Sequence, residues 1–465
     1  MDKRKLGYGL RQVAAYGALV TLGLLSIGCS KKATPATTNE TPTMTVWQSD
    51  FTLDSVEQAI DELDAKTVVI KQRQLKPDIF ESRSVDAIAG DEAPDVWIIP
   101  DDWLEDHRNK LVSIPDNFIQ PDKKKPEAPK NIHEYFQQNY ASFVNDRLLT
   151  NDGALGFPGP VKPLVLFVNK DLLSQTFDRW RKEHPNSSIE ERSAISKLLS
   201  APITTWNDLV TIVKLITLRD GTNIQVSGIG LGTANNVPNL TEIFALLDYQ
   251  QGNDFIDIAK QVALFNGFIT QSDGIIRYPG RDALSFITQF ADPTKDTYTW
   301  NATMPNAREA FLAGKVALIL DYPDFAGVIK QQKKRVQYEQ YPVPQLLTES
   351  NPVNVVRYYI VAPTKASADY SKAITVANGL VSANNIGQLA RGINGSYTPY
   401  KARLSQDKDV TRLFTGARFV YKKHHAEFDT IMSRMIDDVS VRGQAVDVVV
   451  NQAANDITAL LQRND

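Results

Sequence analysis

EAPDVWIIPDDWL, residues 92–104, decides the fold class. Val96, Trp97, Ile98 and Ile99 are apolar throughout, as a strand covered on both faces must be, whereas a strand with one wet face alternates. Asp101, Asp102 and Trp103 follow it at once. Upstream, MTVW at 44–47 opens a strand, and Val56, Ile60 and Leu63 then share one face of a helix that Asp54 and Glu57 are spaced to cap. Val68–Ile70 forms a second short strand. Downstream the alternation continues with a strand at Leu164–Val168, a helix opening at Thr205 with Asp208 in its fourth place, and a strand at Val316–Leu320. Strands alternating with helices imply α/β lobes with mostly parallel sheets. Near the end, Phe428, Ile431, Met432, Met435, Ile436 and Val439 fall at helical spacing, as do Val446, Val449, Val450, Ala453, Ile457 and Leu460, which predicts two amphipathic helices packed on a lobe.

The first thirty residues carry a different signal. Lys3, Arg4, Lys5 and Arg11 run into an apolar stretch from Val13 to Gly28, the layout of an export leader. Leu25, Ser26, Ile27, Gly28 and Cys29 resemble a lipobox, in which the cysteine receives the lipid and becomes the mature N-terminus. The lipobox pattern prefers leucine where Ser26 stands. Residues 30–43, SKKATPATTNETPT, lack large apolar side chains and read as a tether. Cys29 is the only cysteine of 465 residues, so neither an internal disulfide nor a cysteine metal cluster is possible. The chain beyond the leader is too long for one ordinary core and suits two lobes. With 51 basic and 54 acidic residues, nothing favours a nucleic-acid partner.

Gly228, Gly230 and Gly232 are spaced G-x-G-x-G, without the helix and later carboxylate of a dinucleotide site. Gly314 and Lys315 lack the hydroxyl residue and earlier glycine of a phosphate loop. His107, His133, His184, His424 and His425 show no i, i+4 pair for zinc. No G-x-S-x-G elbow occurs. The pair Asp101 and Asp102 suits a glycosidase or, equally, the hydroxyls of a bound sugar. Ligands of α/β sheets sit beyond the carboxyl ends of strands, which singles out Trp47, Gln48 and Asp50 after the first strand and Asp101, Asp102 and Trp103 after the third.

Six segments in order resemble the sugar-binding branch of the bacterial extracellular solute-binding proteins: TVWQSD at 45–50, EAPDVWIIPDDWL, GFPGPVKPLVLFVNKDLL at 156–173, PITTWNDL at 202–209, AFLAGKVALILDYPDF at 310–325 and GSYTPY at 395–400. The resemblance implies a two-lobe periplasmic-binding-protein fold of type II with the ligand in the cleft. It implies a leader at 1–28, the lipidated cysteine and tether at 29–43, one lobe from 44–160 and 350–390, and the other from 161–349 and 391–465. Three hinge crossings are expected near 158–163, 342–356 and 384–397. Asp102 matches a ligand-binding aspartate, Lys162 stands where maltose-binding protein has a sugar-contacting glutamate, and Asp324 where it has a stacking tryptophan. Trp300, Arg357, Tyr358 and Tyr397 lie in segments that the family places near the cleft. The implied function is non-catalytic: a monomer, without cofactor or metal, anchored outside the cytoplasm through Cys29, captures a small polar solute, chiefly a carbohydrate, and hands it to the permease of an ABC transporter. The alternatives are a peptide or polyamine receptor and a surface glycoside hydrolase.

Overall fold

The computed structural model describes residues 41–63, 68–90, 92–121, 124–270, 274–333, 335–346 and 352–463. The leader, Cys29 and nearly all of the tether lie outside them. The chain enters its first strand, Thr43–Gln48, directly after Pro42. This strand pairs in parallel with Val69–Gln74 on one side and with Val96–Pro100 on the other, setting Val46 against Val96 and Trp47 against Trp97. The apolar run Val96–Ile99 is therefore interior to the sheet and buried on both faces.

The expectation of mostly parallel sheets is corrected here, because both are mixed. In the first, Asn354–Pro363 runs antiparallel to Val96–Pro100 and to Phe157–Pro163, with Ala417–Arg418 at its edge. The second is ordered Tyr338–Pro342, Val165–Asn169, Val316–Asp321, Asn223–Ile229, Leu218–Asp220, and only its Asn223–Ile229 and Val316–Asp321 pair is parallel. The reversal has a local cause. Phe157–Pro163 leaves the first lobe and Asn354–Pro363 returns to it, so two strands running in opposite senses lie side by side at the junction.

Each sheet has its own core. Val46, Trp97, Ile99, Phe136, Phe157, Ile360 and Leu389 belong to the first. Phe167, Ile212, Phe244, Leu318, Met432 and Ile457 belong to the second. Val161 packs in the first and Leu164 in the second, while Val355 packs in the second and Val356 in the first. The segment 391–414, expected in the second lobe, packs in the first through Ile393, Tyr400, Leu404 and Phe414, and the change of core falls between Phe414 and Val420. Tyr400 shows why: its ring lies 4.8 Å from that of Tyr140, and its hydroxyl donates to the Val381 carbonyl at 3.0 Å.

Local rules explain the helices that matter below. Thr205 caps Trp206–Ile216 by accepting from the Asp208 amide at 3.1 Å. The first helix, Leu53–Asp61, is capped by Thr52 rather than by the expected Asp54, which lies inside its first turn. The two C-terminal helices, His425–Ser440 and Val446–Gln462, bury Phe428, Met432, Met435 and Ile436 and Val449, Val450, Ala453, Ile457 and Leu460 in the second core. Gly228 is explained by close packing: a Cβ there would stand 2.6 Å from the Val213 carbonyl oxygen.

Candidate functional site

One wall of the site grows from the end of Val96–Pro100. The chain turns there into a short 3₁₀ segment, Asp101–Trp103, which buries both carboxylates. The neighbouring strand supplies their counter-charge. Because Tyr359 is in register with Pro100, Arg357 stands two residues beyond the strand end, beside the carboxylates. Its guanidinium donates to Asp102 Oδ2, and its Nε lies 3.7 Å from Asp101 Oδ1. The Tyr358 amide donates to the same Asp101 oxygen at 3.3 Å. Burial pushes the Asp101 carboxyl up to about 6 against the pull of Arg357. At Asp102 burial also opposes ionisation, but there Arg357, Lys422 and His425 win and hold the carboxyl below its ordinary range.

The opposite wall belongs to the second lobe. Tyr322 follows directly on Val316–Asp321 and is held by its neighbour Asp321, which is fully buried and receives Arg308 through Nε at 2.5 Å and Nη2 at 2.6 Å. Glu242 comes from the first turn of the buried helix Leu240–Gln250. Lys422, only 2 % exposed, donates to Glu242 at 2.9 Å and to Asp429 at 3.0 Å. Burial raises the Glu242 carboxyl, and Lys422 more than offsets this.

The two walls face each other as matched pairs. Asp102 interacts electrostatically with Lys422, and Arg357 with Glu242, although neither crossing pair is a direct ion pair among the described residues. Asp102 Oδ1 and the Tyr322 hydroxyl are buried without a hydrogen-bond partner. At the edge of the same space Lys162 reaches across from the junction strand to Asp324 Oδ2 at 3.3 Å and donates to the Tyr359 hydroxyl at 3.4 Å. Its ammonium lies 5.5 Å from the Tyr322 ring centre and 5.3 Å from that of Tyr359, within cation–π range of both. Tyr359 in turn donates to Asp50 at 2.8 Å.

The structure thus brings Asp50, Asp101, Asp102, Lys162, Asp324 and Arg357 together. It places the remaining sequence candidates elsewhere. Trp47 is buried under the Arg73 guanidinium, 4.4 Å away, and Gln48 is buried with its carbonyl accepting from the Phe51 amide at 2.9 Å. Trp300 is wholly inside the second core, its indole donating to Asn236 at 2.8 Å. Tyr358 is buried in the first core. Tyr397 exchanges backbone hydrogen bonds with Val161 at the junction, and its ring packs edge-on against Phe414 at 5.3 Å. Trp103 packs with Phe80 and Trp97 and stacks on His425 of the second lobe at 6.1 Å.

Sequence reasoning missed Tyr322, Glu242, Lys422 and His425. Tyr322 was within reach, since it follows a strand as Asp101 does. Lys422 and His425 lie in YKKHH at 421–425, a polar cluster opening an amphipathic helix. Glu242 carries no local signal, because its helix is buried on every face from Leu240 to Asp248 and only the fold shows which face meets the first lobe.

Two α/β lobes with separate cores and charged walls facing across their junction define a two-lobe binding protein. The chain belongs to the bacterial extracellular solute-binding proteins, whose family model matches residues 36–413. This is a family of binding proteins, not enzymes, placed outside the cytoplasm. No curated protein sequence matches the chain. Among solved structures, it is similar to a solute-binding protein of an ABC transporter from Thermotoga lettingae bound with α-D-tagatose (15% identity, 90% of this chain and 100% of that one, TM-score 0.63). It is also similar to an ABC substrate-binding protein of Listeria monocytogenes in complex with cycloalternan (11%, 91% and 100%, TM-score 0.65). A third is the sugar-binding protein MalE of Xanthomonas citri (16%, 90% and 97%, TM-score 0.64). These likenesses establish the fold.

Proposed function

We propose that the protein captures a neutral, polyhydroxylated solute, a carbohydrate, between its lobes and delivers it to an ABC transporter permease. The observation that carries this reading is the pair of buried, unpartnered acceptor and donor groups on opposite walls, Asp102 Oδ1 and the Tyr322 hydroxyl. Leaving a buried polar group unpaired costs about 1–3 kcal/mol, so a ligand that satisfies both is favoured. A sugar hydroxyl suits the place because it donates to a carboxylate and accepts from a cation with one group. Each wall offers that combination, Asp102 with Arg357 and Glu242 with Lys422, and a polyol engages both signs. Asp101 and Asp429 add a further carboxylate to each wall, which disfavours an anionic solute. Tyr322 and Tyr359 add ring faces for the apolar side of a sugar. The sugar-bound neighbours of the same fold support the same solute class.

By the same reading the chain is a monomer held to the membrane by lipidated Cys29 after removal of residues 1–28. Replacing Cys29 with Ala should abolish incorporation of radiolabelled fatty acid, and unchanged labelling would rule the anchor out. A second reading, a polyamine receptor, draws on the Lys162 ammonium in its setting of Tyr322, Tyr359 and Asp324, which a solute ammonium could occupy instead. A thermal-shift screen separates the two. Neutral mono- and oligosaccharides should raise the melting temperature; stabilisation by spermidine or putrescine with none by sugars would overturn the carbohydrate reading in favour of the polyamine one.

A further inference from the structure

The helix Leu240–Gln250, whose first turn carries Glu242, starts from a residue in an unusual conformation. Its N-cap, Asn239, sits in the left-handed region at φ 58° and ψ 28°, which a non-glycine residue keeps only where its surroundings hold it. An asparagine at this position ordinarily accepts from an amide of its own helix. Here the side chain turns the other way, and Nδ2 donates to Asp321 Oδ1 at 2.9 Å. The Ile243 amide donates to the Asn239 carbonyl at 2.9 Å, so the setting of Asn239 fixes where the first turn, and Glu242 within it, begins. Asp321 is a fully buried carboxylate at the end of the strand Val316–Asp321. Its Oδ1 also accepts from the Tyr322 amide at 2.8 Å and from Arg308 Nη2 at 2.6 Å, and its Oδ2 accepts from Arg308 Nε at 2.5 Å. Arg308 belongs to the helix Ala307–Leu312 and lies over the Phe325 ring, 5.5 Å from its centre. A forked arginine suffices to balance a buried carboxylate. The two further donors are the ones that lead to the cleft: Tyr322 is next in the chain, and Glu242 follows Asn239 by three residues. The strand and both helices pack in the second core, so the arrangement does not depend on how the lobes stand.

We infer that Asp321 is the positioning residue of the second-lobe wall: through the Tyr322 amide and the Asn239 side chain it fixes the Tyr322 hydroxyl and the Glu242 carboxylate as one rigid pair. The contacts of the helix start fit a wall built this way. Lys422 donates to Glu242 at 2.9 Å, and the adjacent Thr241 donates at 2.8 Å to Asp429, which receives Lys422 as well. A shift of the helix start would therefore move Glu242 away from Lys422 and Thr241 away from Asp429 together. A site that grips a solute needs such second-rank support, because a first-rank group that drifts loses the geometry of its hydrogen bonds. This role deepens the solute-capture reading and rests on it, but the first arm of its test needs no solute.

Asn239→Gly cuts the tie and spares the fold, because glycine adopts the left-handed conformation freely and is accepted at N-caps, and because Asp321 keeps its other donors. The Glu242 carboxyl would be followed by NMR pH titration of the free protein. Burial raises this carboxyl and Lys422 outweighs burial, so in the parent it titrates below its ordinary range. In Asn239→Gly it should titrate higher, as the contact with Lys422 loosens. The second arm is isothermal titration of the sugar that gives the parent its largest thermal shift. Asn239→Gly should lower that affinity roughly threefold to tenfold, the loss of about one net hydrogen bond. Introduced into Glu242→Gln, the same change should cost less than about twofold, since both act through one group. Asp321→Asn, which keeps an oxygen for Asn239 and Tyr322, should bind closer to the parent than Asp321→Ala does. A Glu242 titration unchanged by Asn239→Gly overturns the inference whether or not a sugar is found, and so does a fully additive loss in the Glu242→Gln background. If the Glu242 shift is seen and no sugar binds the parent, the carbohydrate reading falls and the positioning role stands.

Discussion

At the scale of single residues the cleft is a set of charges that answer one another, and the answers differ in what they allow. Lys162 and Asp324 stand where a resembling sugar receptor contacts its ligand, yet here they bond to each other. The half-exposed setting of Asp324 makes this a modest tie, worth about 1 kcal/mol or less. The double substitution Lys162→Ala with Asp324→Ala should therefore leave affinity for the solute within about twofold, as calorimetry would show. Tyr322→Phe removes one of the unpartnered groups of the walls and should weaken binding by about 0.5–1.5 kcal/mol, a net hydrogen bond, in the same titration. Away from the cleft, Asp248 is fully buried, and burial pushes its carboxyl up to about 7 although Asn253 donates to both of its oxygens, at 3.1 and 3.0 Å. A carboxyl raised in the folded state gives stability that is present below its unfolded value and lost as pH rises through its folded one. Asp248→Asn should accordingly melt higher than the parent at about pH 8 and lose that advantage by about pH 4.

At the scale of elements, what was legible depended on whether a local rule fixed it. The apolar run Val96–Ile99, the Thr205 cap and both C-terminal stripes were readable because burial on two faces, a side-chain cap and a 3.6-residue period are written in consecutive residues. The antiparallel Asn354–Pro363 was not, since its direction follows from where the chain re-enters the first lobe, about two hundred residues after leaving it. The placement of 391–414 failed for the same reason: Tyr400 finds its partners at Tyr140 and Val381, which no spacing reveals. In the site, Asp101, Asp102 and Asp50 were legible as residues following strands, but Glu242 and Lys422 were not, because each matters only through the wall it faces. The G-x-G-x-G run also acquires a physical account here. Gly228 lets the helix Trp206–Ile216 lie against the strand Asn223–Ile229, and at Gly230 a Cβ would stand 2.7 Å from that of Ala307. Gly228→Ala should cost about 1–3 kcal/mol by overpacking, seen as a lower melting temperature with the solute affinity of the surviving folded protein unchanged.

At the scale of the whole molecule, two lobes with independent cores share a junction made of backbone strands and a lysine tie at 162 and 324. Such a body has two arrangements, and a solute acts on it by favouring one of them, so binding energy goes into closure rather than into bond chemistry. Capture ends with the solute satisfying Asp102 and Tyr322 between the closed lobes. The most direct measurement is isothermal titration of the sugar that gives the largest thermal shift into the parent chain and into Asp102→Ala. One site per chain is expected in the parent, with affinity lower by about 1.5–3 kcal/mol in the variant, the range for a hydrogen bond to a charged group, or roughly ten- to a hundredfold. Equal affinities in the two proteins would contradict the account, because they would place the bound solute away from the charged walls between the lobes.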